Sequence, residues 1–301
     1  MIKPNFFIIG AGGCGTTALY KYLQLHPNIF ITTPKEPNYF AIDIPEVRVF
    51  TQLEKYLELY KACQPEQVAI GEASAWYFNS SAALPNIYQF NPDAKIIVMI
   101  RNPIDRMYSS YCGQRNIIFN EDQDSFEQAW RLQEVRKQGK MLPKHCRVPK
   151  LLQYGQIGKL NGQFEQLYSI FPPEQVKVII FDDFVTDTQR IYQETLAFLG
   201  VINDNRTDFK QHNSKNKIYK IKLLSKFTQH PPQFLSKLLN RWKWIRDIKN
   251  TAIEQINEWN SIGIERLPLS EDFHRELKAF FQDDVTKISK LLGRDLTHWV
   301  K

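Results

Sequence analysis

The most informative part of the sequence is Phe6-Phe7-Ile8-Ile9-Gly10-Ala11-Gly12-Gly13-Cys14-Gly15-Thr16-Thr17. An apolar run of this length, followed by closely spaced glycines and two threonines, predicts a buried strand, a loop and the start of a helix. Such a loop turns backbone N–H groups towards an anion, and the positive end of the helix dipole lies behind them. The segment therefore predicts a site for a phosphorylated ligand.

A nucleoside triphosphate is the first ligand class to consider. Residues 10–17 follow the pattern G-x-x-x-x-G-K-[ST], except that Thr16 stands where the lysine belongs. That lysine contacts the β- and γ-phosphates, so its absence counts against ordinary ATP or GTP chemistry. In residues 178–183, four apolar residues are followed by two aspartates, as in a strand that holds magnesium. Many ordinary buried strands end in the same way, and we favour that interpretation.

A dinucleotide is the second ligand class. Gly10, Gly12 and Gly15 also spell G-x-G-x-x-G, and Glu36 follows at roughly the twenty-residue distance expected of a ribose-binding acid. However, Glu36 comes after Thr33-Pro34-Lys35 and does not close a strand. A glycine fingerprint without that strand is weak support for a dinucleotide.

A nucleotide phosphosulfate is the third ligand class, and a second motif favours it. The apolar run 94–100 leads into Arg101, then Pro103, then a helical stretch that carries Ser109. A turn of this kind would bring a guanidinium and a hydroxyl together, and the arginine fork matches a phosphate monoester. The alternative is that Arg101 only pairs with Asp105, four residues later, or with the C-terminus of a helix.

Together the two motifs resemble the 5′-phosphosulfate loop and the 3′-phosphate motif of sulfotransferases that use 3′-phosphoadenosine 5′-phosphosulfate (PAPS). The heparan sulfate sulfotransferases and many bacterial relatives are the most similar branch. Nearly the whole chain takes part, because further segments match in order: His26-Pro27, Lys35-Glu36-Pro37-Asn38-Tyr39-Phe40, Gly71-Glu72-Ala73-Ser74 and residues 291–299.

The resemblance implies an α/β fold of P-loop NTPase-like type, with a central parallel sheet flanked by helices in one sulfotransferase domain over residues 1–301. It implies sulfuryl transfer from PAPS, without a metal, to a hydroxyl or amine of a glycan or small-metabolite acceptor. Glu36 would be the general base, with Lys35 beside it and Glu72 as a second candidate carboxylate. The expected cofactor-binding residues are Gly12, Gly13, Cys14, Gly15, Thr16, Thr17, Arg101 and Ser109, with Lys215 and Tyr219 in a loop closing over the 3′-phosphate.

Two positions depart from the resemblance. Gly13 stands where relatives usually carry lysine or arginine, and Ala73 stands where the heparan sulfate enzymes carry lysine. Substituting Gly13 by lysine is therefore expected to raise activity. The departures leave room for a catalytically weak relative that binds adenosine 3′,5′-bisphosphate (PAP) or a glycan, and an ATP-dependent P-loop kinase is the other alternative.

Length and pattern together predict one sizeable domain. The chain has 301 residues, 43% of them hydrophobic, which is enough for a full α/β core. Strands are expected at 5–10, 29–32, 68–72, 96–100 and 176–181, the last strand of the chain, with a helix at 16–25. Strands alternating with helices predict a parallel sheet covered on both faces. The polar, basic residues 131–150 are expected to form a loop or lid.

Positive charge is concentrated in one segment. Residues 210–250 contain eleven Lys or Arg and a single acid, Asp247, against a net charge of +7 for the whole chain. This segment would attract an anionic glycan or, weakly, an acidic membrane surface. No nucleic-acid-binding motif accompanies the charge. The sequence shows no signal peptide and no apolar run long enough to span a membrane. The four cysteines lack metal-binding spacing and are expected to be reduced thiols. A cytoplasmic protein is therefore expected.

Overall fold

A five-stranded parallel sheet forms the centre of the fold in our computed structural model, which describes residues 2–210, 217–219, 261–263 and 267–301. The strands pair in the order β2-β3-β1-β4-β5. Their bounds are β1 Phe6–Gly10, β2 Ile29–Ile31, β3 Ala69–Ala73, β4 Lys95–Ile100 and β5 Val176–Ile180. Each lies within one residue of the bounds expected from the sequence, so that prediction is confirmed.

The strand order places the end of β1 at a special position. All five residues of β1 are buried, as are five of the six in β4, because a parallel sheet between helices has no solvent-facing side. From β1 the chain moves outward to β2 and back to β3, and then crosses to β4 on the other side of β1. Open α/β sheets bind ligands beside the carboxyl ends of their strands, at such a reversal.

Helices connect and flank the strands. The first, α1 (Thr16–Gln24), buries an apolar face that includes Leu19 and Leu23, in agreement with the expected helix. It ends just before His26, whose Nδ1 accepts the N–H of Asn28 (3.1 Å). The following helices are α2 Leu53–Leu57, α3 Ala83–Phe90, α4 Pro103–Gly113, α5 Phe126–Arg131, α6 Gln133–Lys137, α7 Tyr154–Gly158, α8 Asn161–Ile170, α9 Phe181–Thr186, α10 Thr188–Leu199 and α11 Glu271–Leu291.

The chain divides into two compact units. The first contains the sheet and consists of Met1–Tyr108, Gln153–His212 and Ser270–Lys301. The second consists of Ser109–Leu152 and Asn213–Leu269. Within the described residues, no helix combines the length and the apolarity that a bilayer crossing requires.

Two features of the second unit differ from the sequence-based expectation. Residues 131–150 are not wholly a loop, because they contain α6, whose Arg136 forms a buried two-point ion pair with Glu121 (2.6 and 2.8 Å). The strand at 176–181 is not the last, because β6 (Lys217–Tyr219) and β7 (Ser261–Gly263) form an antiparallel pair. Two three-residue strands separated by more than forty residues leave no readable local pattern. Most of the basic segment 210–250 lies outside the described residues.

Candidate functional site

The glycine loop leaves β1 at the carboxyl edge of the sheet and enters α1 at Thr16. The N–H of Ala11 donates to the carbonyl of Met99 (2.7 Å), which fastens the loop to β4, and the N–H of Cys14 donates to the carbonyl of Ala11 (3.3 Å). The first N–H groups of a helix have no acceptor within the helix, and they carry its positive dipole end. The start of α1 therefore has the geometry of an anion site, and the binding of a phosphate there stays a prediction.

Two glycines of this loop have backbone angles that suit only glycine well. Gly13 has φ +93° and Gly15 has φ +88°. A Cβ on Gly15 would in addition lie 3.2 Å from the ring of Phe181. Placing lysine at position 13 would cost about 1–2 kcal/mol in backbone strain. This strain opposes any gain from the added charge, and the expectation that Gly13→Lys raises activity stays a prediction.

We predict that Gly15→Ala lowers the free energy of unfolding by about 1–2 kcal/mol, since it combines an unfavourable φ with the contact to Phe181. Gly12→Ala is the matched control, because a Cβ at Gly12 would have no atom within 4 Å. It should change stability by less than about 0.5 kcal/mol. Urea unfolding followed by circular dichroism measures both, and equal losses in the two variants would contradict the argument.

Arg101 follows β4 and lies beside the same aromatic ring. Its guanidinium carbon is 4.6 Å from the centre of the Phe181 ring, and its Nη2 donates to Asp105 (3.1 Å). The pairing that the sequence offered as the alternative therefore exists. It does not use the whole guanidinium, because the buried Nε has no hydrogen-bond partner among the described residues. A Cβ on Gly15 would lie 3.2 Å from the same ring, so Phe181 is close both to Arg101 and to the glycine loop.

All the residues expected at the 3′-phosphate, Arg101 included, stay predictions. Ser109 is buried within α4 and belongs to the second unit. Lys215 lies outside the described residues, and Tyr219 is described only as part of the backbone of β6.

Glu36 lies on a sharp turn after β2. Its φ is +63°, its N–H donates to the carbonyl of Ala73 (2.9 Å), and its Oε2 accepts the N–H of Ala75 (2.8 Å). Lys35 Nζ pairs with the other carboxylate oxygen. About a third of the Glu36 side chain (32%) remains exposed, so the carboxylate is anchored and still accessible to a ligand.

Asn38 holds this turn, and the sequence reasoning missed it. It is almost completely buried with φ +52°, and its side-chain Nδ2 donates to the carbonyls of Glu36 (3.0 Å) and Val47 (3.1 Å). Its own N–H donates to Ser74 Oγ (3.1 Å). Asparagine tolerates the left-handed region better than most residues, and this preference was the available sequence signal.

Ala75 connects Glu36 to the glycine loop (residues 10–17). Its N–H binds the Glu36 carboxylate, and its carbonyl oxygen lies 2.8 Å from where a Cβ of Gly10 would stand. Gly10 is the last residue of β1, where the loop begins. The structure therefore brings the predicted base and the predicted anion site together through a single residue.

The other candidate carboxylates are engaged elsewhere. Glu72 is completely buried and accepts a hydrogen bond from Tyr60 (3.3 Å). A substrate therefore cannot reach its carboxyl group in this structure. Asp182 accepts the indole N–H of Trp299 (3.0 Å), and Asp183 forms a two-point pair with Arg294, with Nη2 at 2.7 Å. Asp182 and Asp183 thus bind side chains of the C-terminal segment. This favours an ordinary buried strand at residues 178–183 over a magnesium-holding one.

Two residues near the loop were not expected from the sequence. Phe181, the first residue of α9, is the neighbour shared by Gly15 and Arg101. Arg106 is buried, and its Nε donates to the carbonyl of Gly12 (3.3 Å). Gly12 and Arg106 are 94 positions apart in the chain, so no local spacing could have paired them.

The chain is similar to several known sulfotransferases. A crystal structure of a sulfotransferase from Alicyclobacillus acidocaldarius superposes with a TM-score of 0.74 and 26% identity, covering 100% of both chains. Human bifunctional heparan sulfate N-deacetylase/N-sulfotransferase 3 is 26% identical over 317 residues, covering 99% of this chain but 31% of the relative. Mouse carbohydrate sulfotransferase 15 is 34% identical over 149 residues, covering 36% of this chain and 27% of the relative.

The chain thus spans about a third or less of the length of these two curated relatives. The family model described as "Sulfotransferase domain" matches residues 3–279, which is most of the chain. The protein therefore belongs to the sulfotransferase domain family.

Proposed function

We propose that the protein transfers a sulfuryl group from PAPS to a hydroxyl or amine of an acceptor, with Glu36 as general base. The observation that carries this proposal is the position of the Glu36 carboxylate. It is held by the N–H of Ala75, whose carbonyl packs against Gly10 at the start of the glycine loop. An accessible carboxylate beside an anion site is the pair of groups that sulfuryl transfer needs.

The anion-binding groups fit a nucleotide with phosphate groups at both its 5′ and 3′ positions. The amides at the start of α1 suit the 5′-phosphosulfate, and the unpartnered Nε of Arg101 suits the 3′-phosphate. The loop has no lysine at position 16 to reach the outer phosphates of ATP. The donor set therefore supports PAPS better than a triphosphate.

When bound, PAPS supplies an activated sulfuryl group and a phosphate leaving group. Glu36 takes the proton of the acceptor as the new bond to sulfur forms and the bond to the phosphate oxygen breaks. The amides at the start of α1, with the hydroxyls of Thr16 and Thr17, stabilise the charge that develops on the leaving phosphate. Protonation of Glu36 weakens its pairing with Lys35, which leaves the ammonium to neutralise that same charge.

A glycan is the acceptor class we infer, with a small metabolite as the second possibility within the same chemistry. Two relatives are named for glycan substrates, heparan sulfate in one and carbohydrate in the other. The basic segment 210–250 also favours an acidic acceptor.

Ligand-induced thermal stabilisation tests the assignment, because a ligand that binds only the folded state raises the melting temperature. PAP should stabilise the protein, while ATP with magnesium and NADH should not. Transfer of ³⁵S from PAPS to a panel of N-acetylated and N-deacetylated heparan-type glycans then tests catalysis. Stabilisation by ATP alone would indicate a kinase, and PAP binding without any transfer would indicate a catalytically weak relative.

Arg101→Gln should weaken PAP binding by about 10- to 100-fold, because a hydrogen bond to a charged group contributes about 1.5–3 kcal/mol. Binding of adenosine 5′-monophosphate, which lacks the 3′-phosphate, should be nearly unchanged. Isothermal titration calorimetry measures both ligands. Arg190→Gln is the control, since Arg190 is an exposed arginine that also pairs with a carboxylate. Equal losses for both ligands would show that Arg101 does not read the 3′-phosphate.

A further inference from the structure

Arg106 is a buried cation beneath the glycine loop. Its side chain is 1% exposed, and its hydrogen bonds run from Nε to the carbonyl of Gly12 (3.3 Å) and from Nη1 to the carbonyl of Ile157 (3.0 Å). No carboxylate of the described residues forms an ion pair with it. Arginine is seldom fully buried without a paired charge, because removing a cation from water costs several kcal/mol.

The groups that surround Arg106 compensate its charge only in part. Burial lowers its pKa, and the nearby Cys14 thiol and Asp284 carboxylate oppose that effect. Asp284 is committed to another task, because its two oxygens accept the N–H groups of Leu160 (2.8 Å) and Asn161 (3.0 Å) at the start of α8. A guanidinium with this little compensation is suited to an anion that arrives from outside.

The contact with Gly12 also has a directional effect. In a trans peptide the carbonyl oxygen of one residue and the N–H of the next point in opposite directions. A bond from Arg106 to the Gly12 carbonyl therefore turns the Gly13 N–H away from Arg106, and it polarises that peptide so that the N–H becomes a better donor. The loop itself, residues 10–17, contains no lysine or arginine.

We propose that Arg106 is a positioning residue for the 5′-phosphate end of the nucleotide. It orients the Gly12–Gly13 peptide and supplies, from beneath the loop, the positive charge that the loop lacks. The bound anion in turn compensates the buried guanidinium. This proposal rests on the proposed function, because it needs a ligand whose 5′-phosphate enters the loop.

Two ligands that differ only at the 5′ position test it. PAP carries both phosphates, whereas adenosine 3′-monophosphate lacks the 5′-phosphate. Arg106→Gln should lower the affinity for PAP by about tenfold and the affinity for adenosine 3′-monophosphate by less than about twofold. Arg106→Lys keeps the charge and should weaken PAP by no more than about threefold. Arg101→Gln is the matched control. Its loss of affinity should depend on the 3′-phosphate, which both ligands carry, and should therefore be similar for the two.

Calorimetric dissociation constants decide between the outcomes. Equal weakening of both ligands by Arg106→Gln would overturn the proposal, because Arg106 would then only support the packing. A loss in Arg106→Lys as large as that in Arg106→Gln would overturn the role of the charge. If Arg106→Gln does not fold, Arg106→citrulline keeps the planar N–H groups without the charge and permits the same comparison. If the wild-type protein binds no PAP, the proposed function itself fails, which is a separate result.

Discussion

Replacing Glu36 by glutamine is expected to lower kcat for sulfuryl transfer by about 10³-fold, within the range that general base catalysis contributes. Glutamine keeps an oxygen that can accept the N–H of Ala75, so the turn after β2 should survive. It cannot take a proton from the acceptor. Because Glu36 contacts no group of the nucleotide in the proposed mechanism, the dissociation constant for PAP should change by less than about threefold.

The measurement is single-turnover transfer of ³⁵S from PAPS, with PAP affinity determined separately by calorimetry. Glu46→Gln is the control, because Glu46 is an exposed acid ten residues further along the same connection and should leave both quantities unchanged. A fall in PAP affinity as large as the fall in kcat would mean that Glu36 supports the structure of the site. An unchanged kcat would mean that another group is the base.

The parts of this fold that are readable from the sequence are those coded by local patterns. Apolar runs place all five strands of the parallel sheet within one residue, since a strand buried on both faces needs such a run. The glycine loop and the position of Arg101 follow from the same kind of reasoning, because each stands directly at the end of such a strand. Parallel strands end at one edge, so their terminal residues come together.

The parts that are not readable depend on contacts between distant residues. Arg106 lies five residues after Arg101 in the same motif. It is buried and binds the carbonyl of Gly12, whereas Arg101 packs against the ring of Phe181. Nothing in their spacing distinguishes the arginine that is buried from the one that lies beside Phe181. Asn38 likewise occupies a variable-looking position within Lys35–Phe40, and only its bonds to Glu36 and Val47 reveal that it shapes the turn.

Gly13 shows how the backbone conformation bears on the interpretation of a motif. From the sequence it is a missing cation, and restoring a lysine is the natural experiment. The positive φ of Gly13 adds a cost to that experiment, because a side chain at this position is strained by about 1–2 kcal/mol. The charge of Arg106, which binds the carbonyl of Gly12 from another part of the chain, carries no such backbone cost.

Glu72 should make the stability of the protein fall as the pH rises towards neutrality. Its carboxyl group lies among the buried hydroxyls of Tyr56, Tyr60 and Tyr77. Burial raises the pKa of Glu72 from its ordinary 4.5 to about 7, against a partly opposing effect of the hydroxyl groups of these tyrosines and of Ser74. The folded protein therefore keeps this proton over a pH range in which the unfolded chain has lost it.

The direction and size of the change in stability with pH follow from that difference in pKa. Between pH 4.5 and about 7 the folded state binds more protons than the unfolded state, so raising the pH favours unfolding. Each pH unit across this range corresponds to about 1.4 kcal/mol, so the group removes about 3 kcal/mol of stability by the upper end. Above the folded-state pKa the loss is complete and no longer grows.

Glu72→Gln should remove this dependence, because the amide is uncharged at every pH and has nearly the same shape. Relative to wild type, the variant should gain about 3 kcal/mol of stability between pH 4.5 and pH 8. Urea unfolding at half-unit pH steps measures the difference, which cancels the contributions of all other titrating groups. Glu54→Gln, at an exposed position in α2 near Tyr56, should show no such slope. A difference between Glu72→Gln and wild type that does not vary with pH would mean that Glu72 is ionised in the folded core, with the tyrosine hydroxyls as its compensating donors.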